Sequence, residues 1–191
     1  MLRIAQIVGM VLVSMLALSG VASGHNFKSS VTGNLKVVSN QSQLFTIVPS
    51  GVMVTCTKDA INKGTDSSGS QLSILVEYEY TGCTITGSFG LKFEAKASLA
   101  QVVYSADNDL MRLENTWVIK VPIGECDITV KPQDLNAVSY KNSGKHVVVE
   151  PHVSGIVSEG SGGECGVGKS TSGTYTGNTE IEVVGGEISW S

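Results

Sequence analysis

Apolar and polar residues alternate with a period of two in one stretch after another, and no long stretch carries the 3.6-residue period of an amphipathic helix. Leu72 to Tyr80 is the clearest case. Leu72, Ile74, Val76, Tyr78 and Tyr80 share one face, while Ser73, Leu75, Glu77 and Glu79 share the other. This pattern predicts a half-buried antiparallel strand, with Thr81-Gly82 as the turn that ends it. Val52, Val54 and Cys56 alternate in the same way. Val31 to Val38 and Leu44 to Val48 predict two further short strands, followed by a turn at Pro49-Ser50-Gly51.

Asp59 to Ser70 is polar and glycine-bearing, so a loop is expected, with one helical turn around Ala60-Ile61. Phe89 to Ala95 reads as extended. Residues 94 to 101 contain good helix formers (Ala95, Lys96, Ala97, Leu99, Ala100), but their context favours a strand. Leu110 to Leu113 and Trp117 to Val121 predict a hairpin. The stretch between Cys126 and Cys165 holds Cys126 to Val130, a break at Pro132, Ala137 to Tyr140, and His146 to Val153. Glu180 to Val183 and Ile188 to Trp190 close the chain around a turn at Gly185-Gly186. About ten short strands with turn signals between them predict an all-β, single-domain fold, an antiparallel β-sandwich or an open barrel.

Composition supports this reading. Glycine is abundant (22) and proline sparse (4) in 191 residues, as many tight turns between strands require. The first 24 residues differ from the rest. A positive start (Arg3), an apolar run to Leu18 and a small-residue end (Ser19-Gly20-Val21-Ala22-Ser23-Gly24) predict a secretory signal peptide, cleaved after Gly24 or Ala22. Its apolar run is shorter than the roughly 20 residues that span a bilayer. Val21 stands where a lipoprotein signal would need cysteine, so no lipid is expected. Residues 25 to 191 then form one exported β-rich domain, secreted or at the cell surface, with no membrane span after cleavage. A net charge of −4 gives no reason to bind nucleic acid.

All four cysteines (Cys56, Cys83, Cys126, Cys165) lie in the exported part, and an even count there predicts two disulfides. Of three pairings, Cys56–Cys83 and Cys126–Cys165 join sequence neighbours and each closes a moderate loop. A metal site built from the cysteines would need close C-x-x-C spacing, which is missing.

No other constellation makes a strong site. Gly163 to Ser170 fits G-x-x-x-x-G-K-[ST], but a phosphate loop leaves a buried strand and opens a helix, and the flanks here are glycine- and serine-rich. Asp107-Asn108-Asp109 lacks the further ligands of a calcium loop. Glu77 and Glu79 read as a solvated face. His146, Val148, Glu150 and His152 share strand parity, but the two histidines lie roughly 20 Å apart along a strand. Glu150 and His152 alone would need ligands from elsewhere. No G-x-S-x-G elbow is present, and the three histidines (His25, His146, His152) have no evident Asp and Ser partners. No cofactor, metal or catalytic residue is therefore expected.

The order of motifs resembles a group of exported, cysteine-paired β-rich proteins of soil actinobacteria. The matching features are Cys56, then Glu77-Tyr78-Glu79-Tyr80-Thr81-Gly82-Cys83, then Cys126-x-Ile128-x-Val130-x-x-Gln133-x-Leu135, and finally Gly163-x-Cys165 and Gly173-x-Tyr175-x-Gly177. Members of the group often carry a further cysteine pair in the middle. None lies between Cys83 and Cys126, which suits the sequential pairing. The group has no assigned reaction. The expectation is a secreted or cell-surface binding or structural protein whose partner is the cell envelope, a glycan or another protein. The alternative is an exported hydrolase with a site assembled in space.

Overall fold

The computed structural model describes residues 24–39, 42–47, 52–60, 69–86, 92–107, 109–122, 125–162 and 169–191. The described chain forms strands and no helix, so no helix is long and apolar enough to cross a membrane. In chain order the strands are β1 (Phe27–Ser29), β2 (Leu35–Ser39), β3 (Gln43–Ile47), β4 (Val52–Cys56), β5 (Lys58–Ala60) and β6 (Gln71–Val76). They continue as β7 (Glu79–Ile85), β8 (Phe93–Ala97), β9 (Ala100–Ser105), β10 (Leu110–Leu113), β11 (Trp117–Val121) and β12 (Cys126–Val130). The last six are β13 (Gln133–Leu135), β14 (Val138–Ser143), β15 (His146–Ser161), β16 (Lys169–Thr176), β17 (Thr179–Val183) and β18 (Ile188–Trp190).

Eight of these strands close an antiparallel barrel in the order β12-β11-β8-β7-β4-β3-β16-β15, with β15 returning to β12. A second sheet has the order β13-β10-β9-β6. Four passes of the chain supply the whole second sheet and four of the eight barrel strands, β7, β8, β11 and β12. Each pass breaks once, between β6 and β7, β8 and β9, β10 and β11, and β12 and β13. Side chains at the breaks take over where the ladder fails. Asn115 Oδ1 accepts from the Gln101 amide at 2.6 Å, and Ser98 Oγ accepts from the Val118 amide at 2.9 Å.

This kinked meander accounts for where the strand boundaries depart from the sequence pattern. Leu72 to Tyr80 keeps its alternation, with all five apolar residues buried, yet it breaks at Glu77-Tyr78. Leu110–Leu113 and Trp117–Val121 are not a hairpin: β10 pairs with β9 and β13, and β11 with β8 and β12. Thr81-Gly82 is not a turn. Both lie inside β7, where Gly82 takes a φ of 60° at a register shift between Tyr80 and Cys83, a β-bulge. Eighteen segments replace about ten strands partly because a broken pass counts twice.

Three further boundaries move. Lys58–Ala60 is a strand rather than loop or helical turn, and residues 61–68 lie outside the description. The strand expected over Val31 to Val38 is Leu35–Ser39, and a further strand, β1, precedes it and pairs with β18. His146 opens a strand that runs on to Ser161 and bends through two register shifts. Residues 94 to 101 are extended, as their context favoured over their helix propensity.

Cys56 and Cys83 form a disulfide across the adjacent strands β4 and β7, and both are buried. Cys126 is disulfide-bonded as well, while Cys165 lies outside the described residues. Residues 1–23, where a signal peptide is expected, and residues 163–168 of the G-x-x-x-x-G-K-[ST] match also lie outside them. Lys169 opens a strand, where a phosphate loop would open a helix. Inward barrel positions such as Val54, Tyr80, Ala95, Ile119 and Ile128 are apolar, and the intervening Glu94, Lys96 and Lys120 are exposed. That is the reverse of the alternation in barrels that face lipid.

Candidate functional site: the barrel interior

The chemistry-bearing side chains gather inside the barrel. Phe45 on β3 lies opposite Tyr175 on β16 and Val54 on β4, so sheet pairing alone brings the two rings together. Their centroids are 4.6 Å apart at 19°, a stacked pair. Tyr80 on β7 meets Phe45 edge-on at 5.3 Å. Tyr78, at the kink between β6 and β7, stacks on Tyr80 at 5.6 Å and reaches Trp117 at 5.2 Å. Such contacts suit the ring quadrupoles and hold five rings in fixed orientations.

One end of this cluster is fastened by a buried polar group. The Tyr175 hydroxyl donates to Gln43 Oε1, and Gln43 is fully buried. Gln43 Nε2 in turn donates to Ser39 Oγ at 2.7 Å and to the Asn178 carbonyl at 3.0 Å. Every hydrogen-bonding atom of the Gln43 amide therefore has a partner, as burial demands.

At the other end Trp117 is different. Its indole N–H is buried and has no acceptor among the described residues. Trp117 opens β11 opposite Val130 and lines a cavity of about 80 Å³. The cavity wall is almost wholly apolar, from Phe45, Tyr80, Met111, Ile119 and Leu135 among others. Ala95 and Gly173 are its smallest lining residues, and its hydroxyl-bearing residues include Ser158 and Thr179. The cavity could hold several waters, or a small apolar molecule with one acceptor aimed at the indole.

The histidines do not share this site. His25 stacks on Trp190 at 4.5 Å beside the terminal β1–β18 pair. His152 is exposed on β15. His146 Nε2 lies 3.6 Å from Glu180 Oε2, and among the described residues no side-chain hydrogen bond joins the imidazole of His146 or His152 to a serine. Glu150, expected beside His152, instead contacts Lys141 Nζ and Ser139 Oγ. Glu77 and Glu79 are exposed, and Glu79 pairs with Lys96 at 3.1 Å. That contact raises the lysine pKa, first through the hydrogen bond and then through the charge of Glu79.

Sequence reasoning placed Tyr78 and Tyr80 on a buried face but assigned them no role, and it missed Trp117. The available signal was a tryptophan at the start of an apolar strand, which reads equally well as core. The chain matches no protein-family model, no curated protein and no solved structure.

Proposed function

We propose that this chain is an exported, non-catalytic binding protein that holds a small, uncharged, largely apolar molecule inside its barrel. The observation that carries the reading is the buried Trp117 N–H, without an acceptor among the described residues, in an otherwise apolar cavity. A buried donor left unpaired costs about 1–3 kcal/mol, and a ligand acceptor would recover that cost. The aromatic walls favour a compact ring. The volume of about 80 Å³ is roughly half that of a cavity known to admit benzene, so the ring is small. Export rests on the character of residues 1–24 and on the disulfides, which persist in oxidising compartments. The alternative, an exported hydrolase, would need a nucleophile hydrogen-bonded to the imidazole of His146 or His152; His146 Nε2 has Glu180 Oε2 at 3.6 Å.

The test is a matched pair of probes smaller than benzene, cyclobutanone and cyclobutane, which share a ring and differ in one acceptor. Binding is followed by titration calorimetry, which reads the parent protein and the Trp117→Phe variant alike. Saturable binding with preference for the ketone is expected, and Trp117→Phe should abolish the preference while the hydrocarbon still binds. No saturable response to either probe would sink the reading.

A further inference from the structure

Away from the barrel interior, β15 and β17 bring three metal-ligating side chains together. Val147 pairs with Ile181 and Val148 with Glu180, so one further step of the antiparallel register sets His146 across from Glu182. Period-two alternation then puts His146, Glu180 and Glu182 on one face. All three are half-buried, and one ligand atom from each lies within 4.8 Å of the others.

Charge balance at this spot is incomplete. Lys36 on β2 reaches Glu182 at 3.9 Å. Lys141, the next cation on this face, is engaged by Glu150. Among the described residues, Glu180 has His146 as its sole ion-pair partner. Two carboxylates thus share one permanent positive charge. The sheet register holds them together, and a second cation would balance the spot.

We infer that His146, Glu180 and Glu182 form a binding site for a divalent transition-metal ion such as Zn²⁺. One imidazole and two carboxylates are a donor set suited to zinc, manganese or iron(II), whereas calcium and magnesium prefer oxygen ligands alone. A tetrahedral ion with bonds of about 2.1 Å separates its ligands by about 3.4 Å. The Nε2–Oε2 distance of 3.6 Å already matches, and rotation of the Glu182 side chain completes the set. Water fills the remaining position. Lys36, whose side chain is half-exposed, swings toward solvent as the ion enters.

The test uses the oxidised protein without a polyhistidine tag, treated with chelator and then titrated with Zn²⁺ by calorimetry, with thermal melting in parallel. One equivalent of zinc and a rise in Tm are expected, with no response to Mg²⁺. Glu180→Gln should weaken zinc binding at least tenfold, and Lys36→Gln should strengthen it by removing the competing ammonium. Absence of saturable zinc binding overturns the site. So does binding that Glu180→Gln and Glu182→Gln both leave unchanged, since the ion would then sit elsewhere. The Lys36 variant keeps the test decisive if a carboxylate variant folds poorly.

Discussion

The Tyr175 hydroxyl donates to the amide oxygen of Gln43, and the same tyrosine ring stacks on Phe45, two residues further along β3. One side chain thus fastens the polar end of the barrel and builds its aromatic wall. Tyr175→Phe keeps the ring and removes the donor. A buried acceptor left unpaired costs about 1–3 kcal/mol, so denaturant unfolding should show a loss in that range with an unchanged m-value.

Gly177 marks how tightly Gln43 is enclosed. A Cβ at residue 177 would lie 1.9 Å from Gln43 Oε1 and 2.6 Å from its Cδ. The glutamine amide is held by Tyr175, Ser39 and the Asn178 carbonyl and has nowhere to retreat. Gly177→Ala should therefore destabilise by roughly 1–3 kcal/mol, as overpacking does. Gly177→Ala combined with Gln43→Ala should cost less than the sum of the two single changes, which a double-mutant cycle would measure.

The Cys56–Cys83 bridge closes a loop of 27 residues in sequence separation. In the chain-entropy model a loop of this size stabilises by about 3.5 kcal/mol. The Cys56→Ser, Cys83→Ser variant should melt well below the parent under non-reducing conditions. Equal melting temperatures would mean that the bridge contributes nothing.

Tyr140 supplies a pH dependence. Burial pushes its phenol far above the ordinary value, with Tyr104 and Asp109 adding to the shift, and its hydroxyl donates to the Leu110 carbonyl at 3.0 Å. The unfolded phenol ionises near pH 10, whereas the folded one keeps its proton. The folded state therefore binds more protons above that pH. The contribution is complete below about pH 10 and is lost as pH rises beyond it. Unfolding free energy measured between pH 8 and 11 should fall at the alkaline end. Tyr140→Phe should flatten that fall.

Much of the fold was legible because a strand's side-chain period is local. Leu72, Ile74, Val76, Tyr78 and Tyr80 are buried as their alternation predicts, and Val147, Val149 and Val153 are buried beside the more accessible His146 and His152. Breaks in the ladder were harder to read. Ser98 and Asn115 replace lost backbone partners with side chains, and a lone polar residue between strands looks the same whether the chain turns back or carries on. That is why the β10–β11 hairpin was expected and a kinked pass was found.

Alternation and turn residues by themselves determined an all-β antiparallel fold, since they depend on neighbours in sequence; the cysteine count left three pairings, of which the favoured Cys56–Cys83 is the one the structure shows. Only the tertiary structure decided that the sheet closes at β12–β15, that Trp117 meets Tyr78, and that His146 faces Glu180 rather than Glu150 or His152. These are pairings between distant segments. The register across a sheet is set by how whole faces bury against one another, and no single strand carries that information.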